Sequence, residues 1–293
     1  MNRNVLIYEN DLKFKQMQKI NFNDKNLKLH SGDINKNYDT LNSRLDECNK
    51  NNGTYLDLSH LDLDNISSLF NILNKNLNIN NINYLFLNNN NLYGNFDASV
   101  FTNLISLDIG HNNISNIKLP YNSNELVINN NGISHLPTNI NLSRLECSYN
   151  NLFEIPYYSN LELLYCNNNN INNIKSYPLL RRLIAHDNPL SILDISPEIG
   201  YLDISVTPLP EINIFPNLEH LVANSCKLKV IPNMIKLHTL ELINTPVKRI
   251  QFFPNIETIL CSFELTKHIS SKYENTYNTS IRNNSSIVCI SRL

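Results

Sequence analysis

No stretch of the 293-residue chain approaches the roughly 18 consecutive apolar residues of a membrane-spanning helix, so no membrane insertion is expected. The opening MNRNVLIYENDLKFK holds only a four-residue apolar core, Val5 to Tyr8, before acidic residues begin, too short for the apolar region of a secretory signal. An excess of one charge is also missing. The formal net charge is −2 and Lys and Arg are scattered, so the basic footprint of a nucleic-acid or anionic-membrane binder is lacking. The six cysteines, Cys48, Cys147, Cys166, Cys226, Cys261 and Cys289, contain no Cys-x-x-Cys pair. That argues against a disulfide framework or zinc site and for a reducing, cytoplasmic setting, a host's cytoplasm if the chain comes from a virus or pathogen. No proline precedes Pro120.

What is abundant is asparagine, roughly a fifth of the residues, together with Ile, Lys and Tyr. All four are spelled by A+T-rich codons, so the bias reads as genomic. The N-x-S/T triplets it creates, such as Asn65-Ile-Ser67 and Asn113-Ile-Ser115, therefore carry little weight as glycosylation sites. At 42% apolar content the chain has enough hydrophobic material for one or two ordinary domains.

The dominant signal is self-similarity. Leu145–Pro156 reads LECSYNNLFEIP, and nineteen residues on the order returns as LYCNNNNINNI from Leu164. Aligned on the central residue, Leu107, Leu126, Leu145, Leu164, Leu183, Leu202, Leu221, Leu240 and Ile259 are nineteen apart at every step. Two residues after each anchor stands another small or apolar side chain (Ile109, Ile128, Cys147, Cys166, Ala185, Ile204, Ala223, Leu242, Cys261). Three before stands Leu or Ile, with Ser123 the one polar exception. Apolar residues two apart mark a short strand with one buried face. Five after the anchor come Asn112, Asn131, Asn150, Asn169 and Asn188, then Thr207, Cys226 and Thr245, most of them able to bond the backbone where the chain leaves its strand. Apolar residues return at seven and ten after the anchor, filling the core from the far side.

The resulting L-x-x-L-x-L-x-x-N-x-L-x-x-I/L-P resembles the leucine-rich repeat family over about Gly53 to Phe263, and the short form is similar to repeats of bacterial secreted effectors and of large DNA viruses. The resemblance implies a mostly β repeat solenoid of the α/β class, a horseshoe of about eleven repeats with a parallel concave sheet. Nineteen residues leave too few for a convex-side helix, and Pro137, Pro156 and Pro232 agree with an extended return. The opening repeats differ. Leu56 to Leu85 spans 29 residues, and Ile66, Leu69, Phe70 and Leu73 between them fit a helix over 64–73 with Asp64 as cap; the next step, Leu85 to Leu107, is 22. Residues 1–52 and 264–293 break the register and are expected to cap the 53–263 solenoid, with Ser286–Leu293 as a closing strand.

Strand residues that cannot point inward line the concave face. One column runs Tyr55, Tyr84, Ser106, Glu125, Arg144, Leu163, Arg182, Tyr201, His220, Thr239, Thr258. The next runs Asp57, Phe86, Asp108, Val127, Glu146, Tyr165, Ile184, Asp203, Val222, Glu241, Leu260, and a third contributes Tyr149, His186 and Asp187. Aromatic residues with Arg are what interface hot spots favour, although such side chains also serve simply to cover a sheet. Phe86, Asp108, Arg144, Glu146, Tyr149, Tyr165, Arg182, His186, Asp187, Tyr201, Asp203, His220 and Glu241 are therefore the candidate partner-binding residues. His186-Asp187 with His220 lacks a third carboxylate and a nucleophile, so neither catalysis nor a metal or other cofactor is expected. Cys147 and Cys166 read as buried filler.

The family resemblance implies protein recognition, and the chain is read as a noncatalytic scaffold for a partner protein, expected to be a monomer. Two alternatives remain: an adaptor whose residues 1–52 recruit ubiquitin machinery, though without the Leu-Pro start of an F-box, and a structural or virion component.

Overall fold

The structure is a computed structural model describing residues 34–138, 140–262, 265, 277–281 and 287–292. The expectations for Val5–Tyr8, for most of residues 1–52, and for Ser286 and Leu293 fall outside the described residues. Two compact units divide the chain, Met1–Thr40 and Leu41–Leu293. Of the first, only the opening of helix α1 (Ile34–Lys50) is described.

The second unit is a solenoid built on one 13-stranded sheet. Its strands are three to five residues long up to Thr258–Ser262, and consecutive turns pair in parallel. Every anchor meets the next: Leu56 faces Leu85, Leu85 faces Leu107, and the series continues to Leu240 beside Ile259. A slip of one residue would turn this whole row to solvent, so the buried row holds the register. The parallel run ends where Thr258–Ser262 pairs antiparallel with Ile287–Arg292, itself paired with Tyr277–Ile281.

Burial follows the period. The anchors and the residues two after and three before them are almost fully buried, as are most of those seven and ten after. A further core row stands six before the anchor and was not apparent in the spacing: Phe101, Tyr158, Tyr177, Ser196, Phe215, Met234 and Phe253, each at most 2% exposed. Its hydroxyls reach back to carbonyls of the preceding turn. Tyr158 donates to the Pro137 carbonyl at 2.7 Å, Tyr177 to that of Ile155 at 3.0 Å, and Ser196 to that of Pro178 at 3.0 Å. These three hydroxyls inside the return path are thus paired.

The asparagine row forms a ladder. Asn150 Nδ2 donates to the carbonyls of Ile128, Cys147 and Ser148 at 2.8, 3.1 and 3.2 Å, and its Oδ1 accepts the Ile133 N–H at 3.0 Å. Asn112, Asn131, Asn169 and Asn188 repeat the donation, and the ladder starts one turn earlier than expected, at Asn90. Beyond Asn188 the side chains keep only the bond to their own turn: Thr207 Oγ1 to Ile204 at 2.7 Å, Cys226 Sγ to Ala223 at 3.0 Å, Thr245 Oγ1 to Leu242 at 3.3 Å. One residue before the ladder position the backbone is left-handed in ten turns, from His60 through Tyr149, Asp187 and Val206 to Asn244, with φ between 53° and 58°. Each short strand therefore ends in the same sharp turn.

The opening is helix-backed. Helix α2 runs Ile66–Asn76, two residues later than the expected start, because the capping side chain is Asn65: it accepts the Ser68 N–H at 2.8 Å, three residues on, where a cap bonds. Leu69 and Leu73 are buried, and Phe70 packs against Phe96 and Phe101 with ring centroids 5.3 and 5.8 Å apart. Within the second unit, Leu41, Leu45 and Cys48 bury the face of α1, and Arg44 donates to the Ser59 carbonyl at 2.7 Å. That spacing of i, i+4 and i+7 is the mark of a helix face. Later turns return in extended chain, with two small parallel pairings, Tyr93–Asp97 with Asn113–Lys118 and Asn173–Ile174 with Ile192–Leu193.

Candidate functional site

The open face of the sheet carries the columns that period-two geometry places there. Arg144, Arg182, Tyr201 and His220 stand on the strands Arg144–Glu146, Arg182–Ile184, Tyr201–Asp203 and His220–Val222, one residue before the anchor. Glu146, Tyr165, Asp203 and Glu241 stand one residue after it. The expected third column divides in two. His186 lies three after its anchor, whereas Tyr149 and Asp187 lie four after, in the left-handed turn just past the strand.

The centre of this face is a row of alternating cations and rings. The Arg144 guanidinium lies 5.7 Å from the Tyr165 ring centre, Arg182 lies 5.8 Å from the same ring on its other neighbour strand, and Arg182 stacks at 3.8 Å on Tyr201. The Tyr201 and His220 ring centroids are 5.9 Å apart. Each contact is a cation–π or ring pair between side chains of nearby turns, so the row is ordered before any partner arrives. Partial burial lowers the affinity of His220 for its proton and raises that of the Tyr201 hydroxyl.

The acids of the face are held by donors. Glu146 Oε1 is bonded by the Arg144 guanidinium and its Oε2 accepts Asn129 Nδ2 at 3.1 Å. Asp203 Oδ1 accepts the Ser205 N–H at 3.0 Å, Glu241 Oε2 accepts Asn224 Nδ2 at 3.0 Å, and Asp187 Oδ2 lies 2.7 Å from His186 Nδ1. The asparagines and serines three after the anchor, Asn129, Ser205 and Asn224 among them, belong to this network. The same nineteen-residue spacing would have identified them.

Toward the N-terminal end the face closes over. Phe86 is 8% exposed with its ring 5.1 Å from Tyr55, Arg144 is 8% exposed, and Asp108 is 4% exposed with Oδ1 accepting the Gly110 N–H at 3.0 Å. Burial pushes the Asp108 carboxyl up to about 7, with Glu146 and Asp57 adding to the shift and the Gly110 hydrogen bond opposing it. These three candidates are therefore supports beneath the surface more than contact points on it. Tyr149 is 52% exposed.

Other reactive groups do not converge. Cys147 and Cys166 are completely buried, and burial raises both thiols well above their usual range, which removes nucleophilic character. No three His, Cys, Asp or Glu residues among the described residues stand close enough to share a metal ion. No helix among the described residues is long and apolar enough to cross a membrane. An open cleft of ≈ 600 Å³ lies on the return side instead of the sheet face, lined by Lys229, Val230, Pro246, Lys248 and Arg249.

Parallel three-residue strands stacked at a constant period, an asparagine ladder and an extended return together define one architecture. This is a leucine-rich repeat fold. Among solved structures the chain is similar to YopM, a leucine-rich effector protein of Yersinia pestis, at TM-score 0.55 and 18% identity, covering 80% of this chain and 84% of that one. YopM of Yersinia enterocolitica WA-314 matches at TM-score 0.54 and 23% identity over 60% of this chain, and the functional domain of InlJ from Listeria monocytogenes at 0.52 and 21% over 69%. The chain spans 41% of that YopM and 51% of the InlJ domain. No protein-family model and no curated protein sequence matches it. The leucine-rich repeat fold here is the short type, nineteen residues per turn and mostly β.

Proposed function

We propose that this protein is a noncatalytic scaffold that binds a partner protein on the sheet face, the concave side of the leucine-rich repeat solenoid. The observation that carries the reading is the Tyr165–Arg182–Tyr201–His220 row, braced by the buried Arg144 at its end and held in register by mutual stacking. Aromatic and Arg side chains fixed before binding lose little entropy on docking and supply most of the energy where interfaces have hot spots. Strands lie about 4.8 Å apart, so the row and its brace span roughly 20 Å, a fitting size for the centre of an interface. We assign the scaffold to the inside of a cell as a monomer; the free thiols of Cys48, Cys147, Cys166, Cys226 and Cys261 support the first point.

The test is affinity purification from source-cell or host lysate with wild type and with the Tyr165→Ala/Arg182→Ala variant. A partner docking on the row should bind the variant at least about 2 kcal/mol more weakly, as hot-spot truncation does, with melting temperature nearly unchanged. Lys175→Ala, on the return side where Lys175 lies 3.9 Å from Glu154, should alter neither. Binding that survives the double variant and is lost on removing residues 1–52 would assign recognition to the N-terminal segment, as the adaptor reading requires.

A further inference from the structure

Two arginines on one column of the face are handled differently. Arg144 spends its guanidinium on Glu146. Arg182 is gripped between Tyr165 and Tyr201, yet its Nε is buried without an acceptor, and its guanidinium makes no hydrogen bond or ion pair with any described residue. The buried Nε lies out of a partner's reach, so what the face offers is the outer edge of the planar guanidinium, whose two terminal nitrogens can bind a carboxylate through two parallel hydrogen bonds. The acids of the face bond other donors: Asp203 accepts the Ser205 N–H, Asp187 lies against His186, Glu146 is bonded by Arg144 and Asn129, and Glu241 by Asn224. Stacking on Tyr201 at 3.8 Å fixes the plane of the fork while leaving its edge unspent.

We infer that Arg182, clamped between Tyr165 and Tyr201, is a receptor for one acidic side chain, an Asp or Glu of the partner protein, presented by an extended segment lying across the strands. This rests on the sheet face being the docking surface. A carboxylate suits the place better than a phosphate, because Glu146 and Asp203 stand on strands of the same face and a dianion would meet more of their repulsion, whereas a single charge is met by a bidentate fork. The two flanking tyrosine rings exclude water from the pair, which strengthens each hydrogen bond and penalises an uncharged or misplaced group. Arg182 would thus supply selectivity, and the rings the contact area.

The experiment uses the full chain and a display library of random twelve-residue peptides, selected on wild type and counted against Tyr165→Ala. The expected outcome is a set of binders with Asp or Glu at one fixed position. Changing that residue to Asn or Gln should weaken binding to wild type at least about tenfold, binding to Arg182→Gln by less than about twofold and binding to Arg182→Lys by an amount in between, the signature of a coupled charge-assisted pair. Arg182→Lys keeps the charge and the aliphatic stem but not the fork, so it reports on the pair even if Arg182→Gln folds poorly. Binders lost on Tyr165→Ala yet indifferent to their acids would overturn the carboxylate assignment and leave the docking face standing. Acid dependence that persists undiminished in Arg182→Gln would overturn it too. A selection whose binders ignore Tyr165→Ala altogether, or that yields none, would overturn the docking face and this inference with it.

Discussion

At the scale of single residues, two polar side chains carry measurable weight in the fold. Asn150 closes four hydrogen bonds to buried backbone groups of its own and the neighbouring turns, and Asn151, the next residue, is exposed. Asn150→Leu keeps the bulk but strands those groups, and should cost about 1 to 3 kcal/mol, while Asn151→Leu should cost little. Equal urea midpoints for the two variants would contradict the ladder. Asp108 acts in the opposite direction. Its carboxyl rises from 3.8 to about 7 on folding, so between these values the native state holds a proton that the unfolded chain has released. Stability contributed here is greatest below about pH 4, falls as pH rises to about 7, and is level above it. Asn keeps the acceptor for the Gly110 N–H without the buried charge. Asp108→Asn should remove the decline, gaining a few kcal/mol at pH 8 and almost nothing at pH 4. Urea titrations of both proteins at the two pH values check it, and an equal gain at both would rule out the charge as the cause.

At the scale of elements, what could be read in advance was whatever the nineteen-residue period repeats with similar chemistry. Leu at the anchor and Asn five residues on recur nearly unchanged, so strands, register and ladder followed from spacing. The row six before the anchor did not stand out because Phe101, Tyr158, Ser196, Met234 and Phe253 share a depth in the core and no common side-chain type. Tyr158 and Tyr177 look like surface residues until their hydroxyls are seen to meet carbonyls of the turn behind. Helix α2 was legible from its apolar spacing, and its start moved because capping depends on which side chain reaches an N–H three residues ahead, a distance that Asn65 meets. At the candidate site, the columns of Tyr165, Arg182 and Tyr201 were readable and their stacking was not. A period says which side chains share a face, and their neighbours decide how deep each one sits. That is why Phe86, Asp108 and Arg144, in the same columns, lie buried while Tyr149 stands open one residue past its strand.

At the scale of the whole molecule, a solenoid of this kind holds together turn by turn, since each turn pairs mainly with the one before and after it. Removing one full period should therefore leave a working stack. Deleting Leu161–Leu179 joins Asn160 to Leu180, takes out the strand Leu163–Tyr165, and lets Arg144–Glu146 pair with Arg182–Ile184, with Asn188 arriving where Asn169 stood. Every buried column and the ladder keep their order. Deleting only Leu161–Asn170 leaves the chain out of phase: Leu179 enters the ladder position, and Pro178 falls on the turn residue whose φ is near +56° in Asn168, an angle the proline ring forbids. The nineteen-residue deletion should keep a β-type circular dichroism spectrum and unfold cooperatively in urea, with a smaller dependence on denaturant because less surface is buried. The ten-residue deletion should do neither. If both lose structure alike, stability does not pass from turn to turn and the stack folds only as an indivisible whole.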